Sequence, residues 1–166
     1  MTMCYNVLRG DYMHQSSAQI FRANLETLLA QSGSYDQLAQ EVNVPASTVK
    51  SWINGQRSPS LKALDRLADQ LGCHSFQLIM PNASLQNQNI CHNDVHAALV
   101  RNLSIIFICH HCYSTAQKLS LLDHQITEFA LTSYLRSSDY RLPTLSKLDT
   151  IAALLKQPPY ELLKEE

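Results

Sequence analysis

Apolar residues recur at helical spacing along most of this chain, and polar residues with turn chemistry break the pattern at regular intervals. Ile20, Phe21, Leu25, Leu28 and Leu29 fall on one helical face, with Ser16 or Ser17 in front as a cap and Gly33 behind. Ser34, followed three residues later by Gln37, forms a capping box for a short second helix, Tyr35–Val42, with Leu38 and Ala39 inward. Asn43 sits at the turn, where asparagine tolerates a left-handed backbone. Pro45 opens a third helix, because its missing N–H costs nothing in a first turn. Val49, Trp52 and Ile53 share one face of it, and Asn54-Gly55 stops it. After Pro59, the positions Leu61, Leu64, Leu67, Ala68 and Leu71 make a fourth amphipathic helix closed by Gly72. A fifth, short helix over Ser75–Met80 ends at Pro81.

Residues 82–93 are polar and aperiodic and read as a linker; residues 1–16 show no period and read as a flexible arm. Helical patterning resumes at Asp94, a good N-cap. Beyond it the first pattern returns. Asn24-Leu25 lines up with Asn102-Leu103, and Leu28-Leu29 with Ile106-Phe107. Val44, Val49, Trp52 and Ile53 match Ile126, Leu131, Tyr134 and Leu135, and Pro59-Ser60-Leu61 matches Pro143-Thr144-Leu145. Leu64, Leu67, Ala68 and Leu71 match Leu148, Ile151, Ala152 and Leu155. The offset drifts upward along the chain, as insertions in loops would make it. The expectation is an all-α protein of two five-helix domains in tandem, at 17–81 and 94–166. Two unrelated small bundles are the alternative.

The stretch Tyr35–Gly72 resembles the lambda-repressor-like (Cro/cI, Xre-type) helix-turn-helix family. The residues that carry the resemblance are Leu38-Ala39, Val44, Ser47-Thr48-Val49, Trp52, Asn54-Gly55, Arg57, Pro59-Ser60-Leu61 and Leu64. Around 17–81 the likeness is close; over 94–163 it is weak. Ala39 is small where the third helix must cross closely, and Val44 and Val49 fill the wedge. The resemblance implies that the helix from Pro45 to Asn54 enters the major groove of double-stranded DNA, with Ala46, Ser47, Lys50 and Ser51 toward the bases. It implies phosphate contacts from Tyr35, Gln37, Thr48, Asn54, Gln56, Arg57, Ser60 and Lys62, with backbone N–H donors at the helix start at Ser60. Tyr35 stands where the family often has glutamine, and its hydroxyl can serve a phosphate instead.

Charge adds support. The chain as a whole has a net charge of −1. From Asn43 to Ala63, however, the only charged residues are Lys50, Arg57 and Lys62, with no acid among them. One short helix gives little affinity, so a homodimer is expected, with two readers about 34 Å apart on a palindrome.

In the second half the third helix is expected at about Thr127–Leu135, with Glu128, Phe129, Ala130, Thr132 and Ser133 outward. An acid and a phenylalanine there suggest a degenerate copy that dimerises or binds a partner. Cys109-His110-His111-Cys112 has the spacing of a metal half-site, with Cys91 nearby. It lies in a helical run without a second C-x2-C, so two core cysteines on one helical face are the favoured reading and no metal or cofactor is expected. No catalytic constellation stands out, and an enzyme is not expected. No long apolar run or secretory core is present and the 5 cysteines are odd in number, which points to a cytoplasmic protein. The expected function is a sequence-specific transcriptional regulator of repressor type. The alternative is an antitoxin or anti-repressor that uses the same fold to bind protein.

Overall fold

The computed structural model describes residues 15–85, 88–90, 92–136 and 141–165. Most of the expected arm, residues 1–14, lies outside them. The described residues form eight α-helices and two 3-10 turns, with no strand.

Helix α1 (Ser17–Ser32) starts at Ser16, whose side chain and that of Gln19 cap each other's backbone N–H groups. It ends on Gly33 at φ 83°, a left-handed cap whose N–H returns to Leu29 O. Ser34 Oγ accepts the Gln37 N–H and starts α2 (Tyr35–Glu41). Asn43 then takes the left-handed conformation expected of it, at φ 51°. Helix α3 runs Ala46–Ile53. Pro45 is its N-cap, one position earlier than the sequence suggested, because its ψ of 140° is extended. Its carbonyl still accepts from Thr48 and Val49, so the ring pre-sets the entry without breaking a bond. Helix α4 (Leu61–Leu71) is capped by the Ser60 side chain and closed by Gly72. The expected fifth helix is a 3-10 turn, Ser75–Ile79. Only a few residues separate Cys73 from Pro81, and the tighter 3-10 winding suits so short a piece.

The second half holds α5 (Val95–Cys109), α6 (Thr115–Leu121), α7 (Glu128–Tyr134), α8 (Leu145–Leu154) and a 3-10 turn at Pro159–Leu163. One hydrophobic cluster spans both halves, from Phe21 through Trp52 and Ile79 to Val95, Phe107 and Leu163. Phe21 and Trp52 meet edge to face, with centroids 5.8 Å apart. Residues 82–93 are polar but not loose where described. Asn93 donates from its backbone and side chain to Asp69 Oδ1 and accepts the Ser75 N–H, and Gln88 and Ile90 donate to Gly72 O.

The two halves repeat the same local bonds. Asn24 Nδ2 donates to the carbonyls of Gln77, Leu78 and Met80. Asn102 Nδ2 donates to those of Glu161, Leu162 and Lys164. The Val42, Asn43 and Val44 amides bond to Leu38, Gln40 and Ala39, and those of Leu122, Asp123 and His124 bond to Lys118, Ser120 and Leu119. Asp123 shares the left-handed backbone of Asn43, and Lys156 shares that of Gly72.

The halves also cap each other. Both carboxylate oxygens of Asp149 on α8 stand 3.2 Å from the Ser17 N–H at the start of α1, and Ser17 Oγ donates to Asp149 as well. Both carboxylate oxygens of Asp65 on α4 stand 3.2 Å from the Val95 N–H at the start of α5. Between these crossed caps the two 3-10 turns pack on one another.

Candidate nucleic-acid interface

The wedge of α2 and α3 is closed on its inner side. Leu38, Ala39, Val49, Trp52 and Ile53 are all buried, so rotation of α3 about its axis is fixed by packing. That fixes which residues face out. Ser47 and Lys50 are exposed on α3, and Thr48 and Ser51 are half-buried beside them. Ala46 is half-buried and leans on the core, so it offers the surface only part of a methyl group. Lys50 Nζ lies 5.3 Å from the centroid of the Tyr35 ring, which brings the base-facing and phosphate-facing candidates of α3 and α2 into contact. Gln37, two residues further along α2, is exposed.

The segment after α3 folds back on it. Ser51 O accepts the N–H groups of Gln56 (2.9 Å) and Arg57 (3.3 Å), while Asn54 caps the helix by donating to Lys50 O. This leaves Asn54, Gln56, Arg57, Ser60 and Lys62 exposed along one rim. Ser60 Oγ accepts the Ala63 N–H, so the Ser60 hydroxyl hydrogen remains available to donate outward. The residues expected to face DNA thus sit on α2, α3, the loop after it and the start of α4, with Tyr35, Ala46, Thr48 and Ser51 only partly accessible.

One member of this surface was missed in the sequence. Arg22, on α1, reaches over the turn at Gly55. A β-carbon added at Gly55 would stand 1.9 Å from Arg22 Nη2, and Gly55 itself has φ 69°. Arg22 Nε is buried without a hydrogen-bond partner. The spacing of α1 shows Arg22 one residue from buried Phe21, but nothing in the linear pattern aims it at a turn 33 residues on. Among the described residues Arg22, Lys50, Arg57 and Lys62 form no ion pair with an acid. These four cations, on α1, α3, the loop after it and the start of α4, are thus free of ion pairs among the described residues, and cations of this kind suit a phosphate backbone.

The corresponding face of the second half differs. On α7 Glu128, Phe129 and Thr132 are exposed, and Phe129 keeps 69% of its surface in solvent. Ser133, expected outward, is buried, and its Oγ accepts the Arg141 N–H to anchor the segment after α7.

The cysteines need one correction. Helix α5 ends at Cys109, and His111 turns left-handed at φ 55° before Cys112 is reached. Cys109 and Cys112 therefore do not share a helical face: Cys109 is exposed and Cys112 is half-buried. No group of three His, Cys, Asp or Glu residues able to hold a metal occurs among the described residues; Cys91 lies outside them. No described helix is long and apolar enough to cross a membrane.

No curated protein and no solved structure matches this chain. Residues 26–78, from the middle of α1 to the first 3-10 turn, match the family model described as helix-turn-helix.

Proposed function

We propose that the protein is a sequence-specific DNA-binding transcriptional regulator of repressor type, with α3 lying in the major groove. The single observation that carries this reading is that Arg22, Lys50, Arg57 and Lys62 lie on or beside α3 and the start of α4 without an ion pair among the described residues, the last three in a stretch, Asn43–Ala63, that holds no acid. Ser47, Lys50 and Ser51 face base edges, with the Ala46 methyl against a thymine. Tyr35, Gln37, Thr48, Asn54, Gln56, Arg57, Ser60 and Lys62 hold the phosphates, joined by Arg22. With about six phosphates neutralised, the slope of log affinity against log salt is near −5.

Selection from a random duplex pool, followed by gel shift, tests the reading. A defined sequence is enriched, and its binding is lost with Lys50→Ala together with Arg57→Ala. Tight capture of a protein partner with no enriched sequence would favour the antitoxin or anti-repressor alternative.

A further inference from the structure

We infer that the second half is a second DNA-reading face, so that one chain grips two adjacent half-sites of unlike sequence. The inference rests on the DNA-binding reading above and adds a site to it.

Its first support is an internal two-fold relation. Asp149 caps α1 and Asp65 caps α5, each through both oxygens and at the same 3.2 Å. Exchanging the halves reproduces the pair, as in an isologous contact between two copies of one subunit. The 3-10 turns meet between them. The shared bonds of Asn24 and Asn102, and of the turns at Asn43 and Asp123, give each half the same internal frame. Helices α3 and α7 are therefore counterparts.

The second support is a cleft at the seam. The segment Ser58–Lys62, which follows α3, and the segment Arg141–Ser146, which follows α7, line it from opposite sides. Lys62 and Arg141 are exposed on its two walls. The two segments that would grip phosphates thus lie side by side, with α3 and α7 flanking them. A duplex whose local dyad coincides with this axis offers a minor groove to the cleft and successive major grooves to α3 and α7. Basic side chains on both walls suit the negative potential of that minor groove.

The chemistry of the two readers sets the unlike half-sites. Ser47 and Lys50 of α3 have Phe129 and Thr132 as counterparts on α7, and Ala46 has Glu128. A glutamate accepts from the N4 amine of cytosine, and exposed Phe129 and Thr132 offer apolar contact to thymine methyls. The half under α7 is therefore pyrimidine-rich on the strand it reads. A second copy of the chain is not needed to complete the reader.

Site selection with the full-length chain tests this, with light scattering of the complex and hydroxyl-radical footprinting of the enriched duplex. The expected result is one chain per duplex, protection of two half-sites about one helical turn apart, and two unlike half-site sequences. Lys50→Ala relaxes only the first half-site, and Phe129→Ala with Glu128→Gln relaxes only the second. Arg141→Ala reduces the magnitude of the salt slope by about one at unchanged melting temperature. Two chains on a palindrome would overturn the inference. So would one protected half-site indifferent to the α7 variants, which would assign Phe129 to a protein contact. Either result would leave the regulator reading intact, whereas failure to enrich any sequence would remove both.

Discussion

Lys50 Nζ lies over the Tyr35 ring, 5.3 Å from its centroid, and so ties the start of α2 to the outward face of α3. The aromatic face holds an otherwise free ammonium at one place on the surface. At an exposed site such a contact contributes about 0.5–1 kcal/mol. Tyr35→Ala should therefore lower both stability and DNA affinity, the latter by roughly two- to five-fold. Tyr35→Phe keeps the ring and should keep the stability. If the hydroxyl also serves a phosphate, Phe loses affinity without losing stability. Denaturant titration and gel shift on the two variants separate the two roles.

Gly55 and Arg22 form the other pairing that shapes this surface. A methyl group at Gly55 meets two difficulties: the left-handed backbone at φ 69° and the guanidinium of Arg22 in the space it needs. The backbone part costs about 1 kcal/mol for an alanine. The steric part falls on the far end of a flexible side chain, which can swing away. Gly55→Ala should then destabilise by about 1–2 kcal/mol and weaken DNA binding by displacing Arg22. In an Arg22→Ala background the same change should cost only the backbone part and leave affinity untouched. A double-mutant cycle in thermal denaturation and gel shift measures the coupling.

The elements were legible in the sequence because local rules set them. Ser34 with Gln37, Asn43, Gly33 and Gly72 mark helix ends by chemistry that acts within four residues. The outward positions Ser47 and Lys50 followed from the period of Val49, Trp52 and Ile53. Relations between distant residues were not legible. The reach of Arg22 to Gly55, and the crossed caps of Asp65 and Asp149, depend on tertiary placement that no period encodes. Pattern alone also mistook Ser133 for a surface residue, because its hydroxyl is consumed by the backbone of Arg141, eight positions away.

Asp65 gives the seam between the halves a pH dependence of definite sign. Burial pushes its carboxyl from 3.8 up to about 6; Asp94 and Glu165 push the same way, and the bonds from Ser75 and Val95 oppose them. The folded chain thus holds this proton more tightly than the unfolded chain. Stability from this group is present at pH 4 and is lost as the pH rises to about 6 and above. Such a shift corresponds to about 3 kcal/mol if fully expressed. Partial exposure of the group reduces it to about 1 kcal/mol. Asp149 is raised by burial too and adds the same sign. Asp65→Asn should gain about 1 kcal/mol on the natural chain between pH 4 and 7.5. Urea denaturation of both proteins across that range measures it, and parallel curves would show that Asp65 is not buried at the seam.

Cys73 and Cys109 differ in chemistry because they differ in place. Cys73 follows the cap of α4, is fully buried, and burial raises its thiol to about 11. Cys109 ends α5 and is exposed. Only the thiolate is a nucleophile, and at pH 8 a thiol of that acidity is ionised in about one molecule per thousand. Access removes most of what remains. Alkylation of the native chain followed by peptide mapping should therefore mark Cys109 at least about 100 times faster than Cys73. Because Cys73 belongs to the core that joins both halves, its protection should end at the urea concentration of global unfolding and not before. Early labelling of Cys73 would mean that the first 3-10 turn opens alone and that the seam is not part of the cooperative core.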